Sequence, residues 1–376
     1  MEKEWSNLMC KKEEIQYLEE RNQKIIDAVL KKAEIVCPGA LALIGVNGSF
    51  MTGDFYAKSD LDLLIVINDD RGWKLGCTFI QDDLQVGHDI YCTTWERLQE
   101  DARYEHPNIS KLMDAKIVYC ADEGYKERLN TLRKKANDIL SAPFSAGDYA
   151  KAENLLKQAE HHYTMSMISE RISDVRDEAG KAIYYIENAI AMLNKQYFHY
   201  GVKRAYEEFN AMRSRPEKLC DMINEVITAS TVQEVQKQLS ALMKETIAVF
   251  HKVKETITPQ KKQADKDTLA GTYEEMYSNW RNKIYAAAGT ENNHLAFMSL
   301  ISANEMFSEI NSEVYISSYD ALEGYDPQDL YKTAKAYDSL LNEYLKEYKK
   351  AAIPVEHYPD IDAFVRGYLK NLHSTE

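Results

Sequence analysis

The sequence predicts an α+β fold: a small mixed sheet with helices over residues 1–145, followed by an all-α helix-bundle region. Three observations carry that prediction. Two short apolar runs, 41–46 and 61–67, lie between clusters of Gly, Pro, Asn and Asp. A third run, Leu84–Tyr91, alternates with period two, so that Leu84, Val86, His88 and Ile90 share one face while Gln85, Gly87, Asp89 and Tyr91 share the other. Beyond residue 147 apolar positions recur at helical spacing and no strand pattern stands out.

Taken in order, residues 3–36 place Ile15, Leu18, Ile25, Ile26, Val29 and Leu30 on one stripe of an amphipathic helix, which Cys37-Pro38-Gly39 stops. A strand over 41–46 leads to Gly48-Ser49, then to a short helical or irregular segment ending at Ser59. The run 61–67 is apolar at both parities, as expected of a central strand covered on both faces. Asn68–Gly72 is a polar turn. After Leu84–Tyr91, Thr93-Thr94-Trp95-Glu96 has capping-box spacing and predicts a helix with Thr93 as N-cap. Residues 115–120 predict a further strand and 123–140 a helix.

Ser141–Gly147 is small, polar and contains Pro and Gly, and so marks a boundary between a first domain, 1–145, and a helical bundle, 146–257. Within the bundle, helical periodicity covers 148–177, 180–200, 202–213 and 232–257, broken at Gly201 and Arg215-Pro216. Thr256–Gly271 predicts an exposed linker. Helical patterns at 272–288, 293–312, 327–351 and 359–372 then make residues 258–376 either a third domain or an extension of the bundle.

The 46 Lys and Arg against 60 Asp and Glu give a formal charge of -14, which disfavours a polyanionic partner such as nucleic acid. The six cysteines, at 10, 37, 77, 92, 120 and 220, form no Cys-x-x-Cys pair and predict reduced packing residues of a cytoplasmic protein. The charged start MEKEWSNLMCKKEE has no apolar core of a signal peptide, and no later run reaches the roughly eighteen apolar residues of a membrane span. Neither secretion nor membrane insertion is expected.

The chemistry concentrates between Ala40 and Asn68. Asp60 and Asp62 are two apart and so point to one side of a strand, while Leu61, Leu63, Ile65 and Ile67 line the other. Two like charges held this close repel, and a hard divalent cation with oxygen ligands resolves the repulsion. Upstream, Gly48 lets backbone N–H groups approach an anion, and Ser49 adds a hydroxyl donor.

Gly48-Ser49, ten residues that include Gly53 and Ser59, and then Asp60-Leu61-Asp62 resemble the signature of the DNA polymerase β-type nucleotidyltransferase superfamily. Within it the chain looks most like the antibiotic (aminoglycoside and lincosamide) nucleotidyltransferases, which join such a catalytic domain to a helical C-terminal domain. The detailed likeness covers residues 40–68, extends more weakly to roughly residue 140, and is similar only in kind beyond. The resemblance implies an acceptor hydroxyl attacking the α-phosphorus of a nucleoside triphosphate, with ATP as the first expectation, and pyrophosphate leaving. Asp60 and Asp62 would hold two Mg²⁺ ions, with Mn²⁺ as the alternative, and Asp89 would be a third carboxylate on a neighbouring strand. Gly48, Ser49 and Ser59 would bind the nucleotide.

The resemblance also implies an acceptor pocket walled by the helical domain, in which Glu187 and Asn194 would contact a small hydroxyl-bearing acceptor. Lys181, Lys195, Lys203 and Arg204 are candidate triphosphate contacts from the same domain. His161-His162 are adjacent on a helix, point about 100° apart and cannot chelate one ion together. Transfer to a protein side chain, polymerisation on RNA and a nucleotide-binding regulator without catalysis are the alternatives, and the oligomeric state is left open.

Overall fold

The computed structural model describes residues 12–257 and 261–370. The chain divides into two compact units, Met1–Thr258 and Pro259–Glu376. The fold is α+β, as the sequence predicts, with a small mixed sheet and a helical C-terminal region.

The first unit opens with helix α1 (Lys12–Val36); the predicted residues 3–11 of this helix lie outside the described ones. Strands β1 (Leu41–Asn47) and β2 (Asp62–Ile67) follow. They pair antiparallel, with Asn47 opposite Asp62, and sit inside a four-stranded sheet. Its edges are β5 (Cys92–Thr94), parallel to β2, and β6 (Lys116–Cys120), antiparallel to β1.

The double-sided apolar character of β2 has the expected cause. Leu61, Leu63, Ile65 and Ile67 pack with Ile26, Val29 and Ala33 of α1. Leu64 and Val66 face a second and larger core, shared with the helices that follow. Burying a strand on both faces removes each large side chain from water, worth roughly 1.5–3 kcal/mol apiece.

The alternating segment is shorter than predicted, β4 (Val86–Ile90), and it pairs antiparallel with β3 (Cys77–Gln81) in a separate two-stranded sheet. Strand β3 escaped the sequence reading because Cys77, Thr78, Phe79 and Ile80 are all exposed, so no alternation marks it. The next helix, α3 (Trp95–Asp101), is capped by Thr94, whose hydroxyl accepts from Arg97 N, and not by Thr93. Thr93 is occupied in β5, opposite Val66.

Short α4 (Ser110–Asp114) precedes β6, and α5 (Glu123–Ser141) ends the sheet region. A capping box of Ser145 and Asp148 starts α6 (Ala146–Ile168), which is followed by α7 (Ile172–Leu193). The break falls at 169–171 and not at 178–179, because Gln236 donates to the carbonyls of Ser166, Met167 and Ser169 and so satisfies the end of α6 from another helix. Helices α8 (Ala205–Ala211), α9 (Leu219–Thr228) and α10 (Val232–Ile257) complete the unit. One core runs through it, joining Leu43, Leu64 and Val66 of the sheet to Tyr149, Leu156, Ile183, Ile190 and Phe250 of the helices.

In the second unit the predicted linker is folded over its described part. It contains α11 (Lys266–Leu269), whose Leu269 is fully buried and whose Leu269 carbonyl accepts from the Tyr348 hydroxyl at 2.6 Å. The predicted helices appear as α12 (Thr272–Glu275) running through a π-helical stretch (Met276–Arg281) into α13 (Asn282–Gly289), then α14 (Asn293–Glu313), α15 (Leu330–Lys350) and α16 (Ile361–Lys370). Phe307, Tyr337, Tyr344 and Tyr348 make the centre of its core.

Candidate functional site

Strand β1 ends at Asn47, and Gly48 then turns the chain with φ 69° and ψ -147°. Only glycine fits there: a Cβ on it would stand 1.9 Å from the Asp62 Oδ2 atom. Asp62 is therefore laid directly against the backbone of the Gly48-Ser49 turn. After the short helix α2 (Ser49–Thr52), Gly53 closes it in the left-handed region at φ 79°.

The chain returns to β2 through a tight turn in which Ser59 N donates to the Tyr56 carbonyl and Tyr56 N donates to the Ser59 hydroxyl. From α1, Arg21 donates to the Ser59 carbonyl at 2.8 Å. Ser59 is thus a buried structural residue, 3% exposed, although it borders the cavity described next. Its hydroxyl orients Asp60 by fixing the turn before it.

Asp60 and Asp62 both open onto a cavity of about 490 Å³, together with Gly48, Ser49, Lys111 and Lys203. Burial, then the adjacent Asp60 charge, pushes the Asp62 carboxyl above the usual range, while Lys111 and Lys203 pull it back. No described residue donates a hydrogen bond to either carboxylate. The far wall is the segment His199–Lys203 between α7 and α8. Lys203 Nζ sits 4.5 Å from the centre of the Tyr56 ring, and Arg204 pairs with Asp54 at 3.5 Å, so this segment is tied to the loop after α2.

Among the described residues no three His, Cys, Asp or Glu side chains group to form a metal cage. Two carboxylates at the mouth of an open cavity nevertheless fit Mg²⁺, which keeps several waters and takes substrate phosphates as ligands in place of a protein cage.

Three of the sequence-predicted residues are not brought here. Asp89 lies on the exposed face of β4, because the apolar Val86 and Ile90 claim the inward face, and His88 is the polar residue that turns in with them. His88 stacks on Phe79 at 4.8 Å and bonds Gln81 at 3.2 Å. Asn194 ends α7: its amide donates to the carbonyls of Ile190 and Ser214, and its oxygen accepts from Arg213 N and Ser214 N. All its bonding capacity is spent on that junction. Glu187 is half-buried within charge range of Tyr206 and Cys220, away from the cavity, and burial pushes its carboxyl up to about 7.

Of the candidate cations only Lys203 lines the cavity. Lys195 bonds the Ala142 carbonyl and Asp148, and Lys181 pairs with Asp177 and Glu178. His162 bonds Glu178 at 2.7 Å and stacks on Tyr185, a packing role. Lys111 and His199 were not found from the sequence, since each is a single residue far along the chain from the motif it meets.

The segment carrying His199 is firmly held. Its backbone N–H donates to Glu208 Oε1 at 2.6 Å, and Tyr200 N donates to Glu208 Oε2 at 3.4 Å. The His199 Nδ1 atom lies 3.1 Å from Asp114 Oδ2, and the Tyr197 hydroxyl donates to Asp114 Oδ1 at 2.8 Å.

No family model matches this chain, and no curated protein matches it. Among solved structures, a nucleotidyltransferase-like protein from Exiguobacterium sibiricum 255-15 is similar over 74% of this chain and 89% of its own, at 10% sequence identity and a TM-score of 0.30.

Proposed function

We propose that this chain is a metal-dependent nucleotidyltransferase that moves AMP from ATP to a hydroxyl of a small acceptor, with aminoglycoside-like antibiotics as the first acceptors to test. One observation carries the reading: a single cavity, large enough for a nucleotide's phosphates and sugar, brings the Gly48-Ser49 turn, the Asp60/Asp62 pair and three lysines, Lys58, Lys111 and Lys203, together. Asp60 and Asp62 would hold Mg²⁺, which when bound supplies positive charge at phosphate oxygens.

The chain's own groups have separate tasks. Lys111 and Lys203 draw the triphosphate in and offset its charge. The Ser49 hydroxyl and the backbone around Gly48, which approaches closely for want of a side chain, hold phosphate oxygens. The formal charge of -14 favours a cationic acceptor over nucleic acid. Among the described residues no helix is long and apolar enough to cross a membrane, and the reading puts the enzyme in the cytoplasm, where ATP is abundant.

Titration calorimetry with ATP tests it. Binding is expected with Mg²⁺ and at least about tenfold weaker binding in EDTA, a loss of roughly 1.4 kcal/mol or more. Equal affinity in the two conditions would remove the metal from the site.

A further inference from the structure

An attacking hydroxyl must give up its proton, and the acids around this cavity are not free to take it. Asp60 and Asp62 face the proposed metal, Asp54 is paired with Arg204, and Asp89 points away. His199, on the opposite wall, is differently placed. Asp114 as a carboxylate can only accept, so the His199 Nδ1 atom carries a ring proton and Nε2 is the ring atom left to face an acceptor. No described residue bonds that Nε2 atom, and the side chain is 47% exposed.

The ring is also fixed in position. Asp114 holds one edge, the Tyr197 ring lies against it at 4.0 Å between centres, and Glu208 clamps the backbone on both sides of the residue's Cα. A base whose orientation is set by a carboxylate behind it is the arrangement that hydroxyl activation requires. A second depression, about 480 Å³, adjoins the first and shares His199 and Tyr200 with it. The imidazole therefore stands where the two spaces meet.

We infer that His199, positioned by Asp114, is the general base for the acceptor hydroxyl, and that the acceptor occupies the adjoining depression. The inference rests on the nucleotidyl-transfer reading given above. As the acceptor oxygen bonds to the α-phosphorus, its proton passes to His199 Nε2. The bond from the α-phosphorus to the oxygen bridging to the β-phosphorus breaks, and pyrophosphate leaves with that electron pair. Asp114 stabilises the imidazolium until it returns the proton to water. Tyr197 and Tyr200 line the depression, with the Arg204 guanidinium 3.8 Å from the centre of the Tyr200 ring. Asp114 from α4, Arg133 from α5 behind it, Tyr197 and Tyr200 beside it and Glu208 from α8 surround the ring, Lys195, Arg204 and Glu207 share its depression, and Asp60, Asp62, Lys111 and Lys203 share the cavity.

The test uses the full chain with Mg²⁺, ATP labelled at the α-phosphate, and kanamycin, lincomycin and glycerol as hydroxyl acceptors. Label transfer is expected from the wild type, with a rate that rises with pH as an imidazole deprotonates. His199→Gln should lower kcat about 10²–10⁴-fold and flatten that rise, with ATP affinity within twofold of wild type. Asp114→Asn should lower kcat less, keeping the imidazole but losing its orientation. Thermal melts establish that both variants fold. Wild-type kcat in a folded His199→Gln, or a loss matched by lost ATP affinity, overturns the base assignment alone. ATP binding without transfer to any acceptor leaves His199 no proton to take and overturns it too. Failure of the wild type to bind Mg²⁺-ATP removes the underlying reading, and the base with it.

Discussion

Gly48 and Asp62 are best understood as one unit, because the carboxylate occupies the space a side chain at Gly48 would need. Gly48→Ala forces either the positive φ or the carboxylate to give way, and is expected to cost roughly 1–3 kcal/mol of stability and most Mg²⁺-ATP affinity. Urea denaturation and calorimetry on that variant check both; unchanged affinity would detach the turn from the site. Asp62→Asn acts in the opposite sense on stability. The native state no longer holds an ionised, half-buried carboxylate beside Asp60, so the melting temperature should stay level or rise while label transfer falls at least about 10²-fold. Retained turnover would place the chemistry elsewhere. Both residues were legible in the sequence, since glycine and paired acids carry their signals locally. Lys111 and His199 were not, because their place at the cavity depends on segments 48–62, 110–114 and 199–203 meeting in space.

At the scale of elements, α7 shows how a helix face can mislead. Its helical periodicity was legible in the sequence, and Ile183, Ile186 and Ile190 are buried along it. Of the polar residues beside these three, Asn188 and Asn194 bond other parts of the chain. Glu187 is the costly one, its carboxyl raised by burial from 4.5 to about 7. The folded state holds this proton more tightly than the unfolded state, so the stabilisation is present below about pH 4.5 and is lost as pH rises through about 7. Glu187→Gln should remove that decline and exceed wild type by roughly 1–3 kcal/mol at pH 8, with a much smaller gap at pH 5. Parallel urea titrations at the two pH values decide it, and an equal gap at both would refute the cause. Strand register was the other weak point of the sequence reading. The alternation in β4 was visible, but which face turns inward depended on where Val86 and Ile90 could be buried.

Of the two compact units, the first is organised around a core that its sheet and helices share, while the second has a core of its own. A chain ending at residue 145 would lose Tyr149, Leu156, Ile183, Ile190 and Phe250 from around Leu64 and Val66. It is expected to aggregate or bind hydrophobic dye, whereas 1–258, which keeps the first compact unit whole, should unfold cooperatively and still bind Mg²⁺-ATP. A stable, nucleotide-binding 1–145 fragment would contradict this. The loop at 141–147 is legible in the sequence because Pro, Gly and Ser punctuate it. That it joins helices sharing one interior is not, since composition records a break in secondary structure and not which side chains pack together.

The same shared interior bears on how such a chain diversifies. Exchanging the whole helical half for that of another protein would have to match dozens of buried side chains at once, so wholesale shuffling is a closed road. The stretch from Tyr200 to Val202 is exposed, belongs to no core cluster and yet lines the cavity. Inheritance can vary it a residue at a time without disturbing what lies beneath, and on the proposed function the fit to an acceptor would be tuned there.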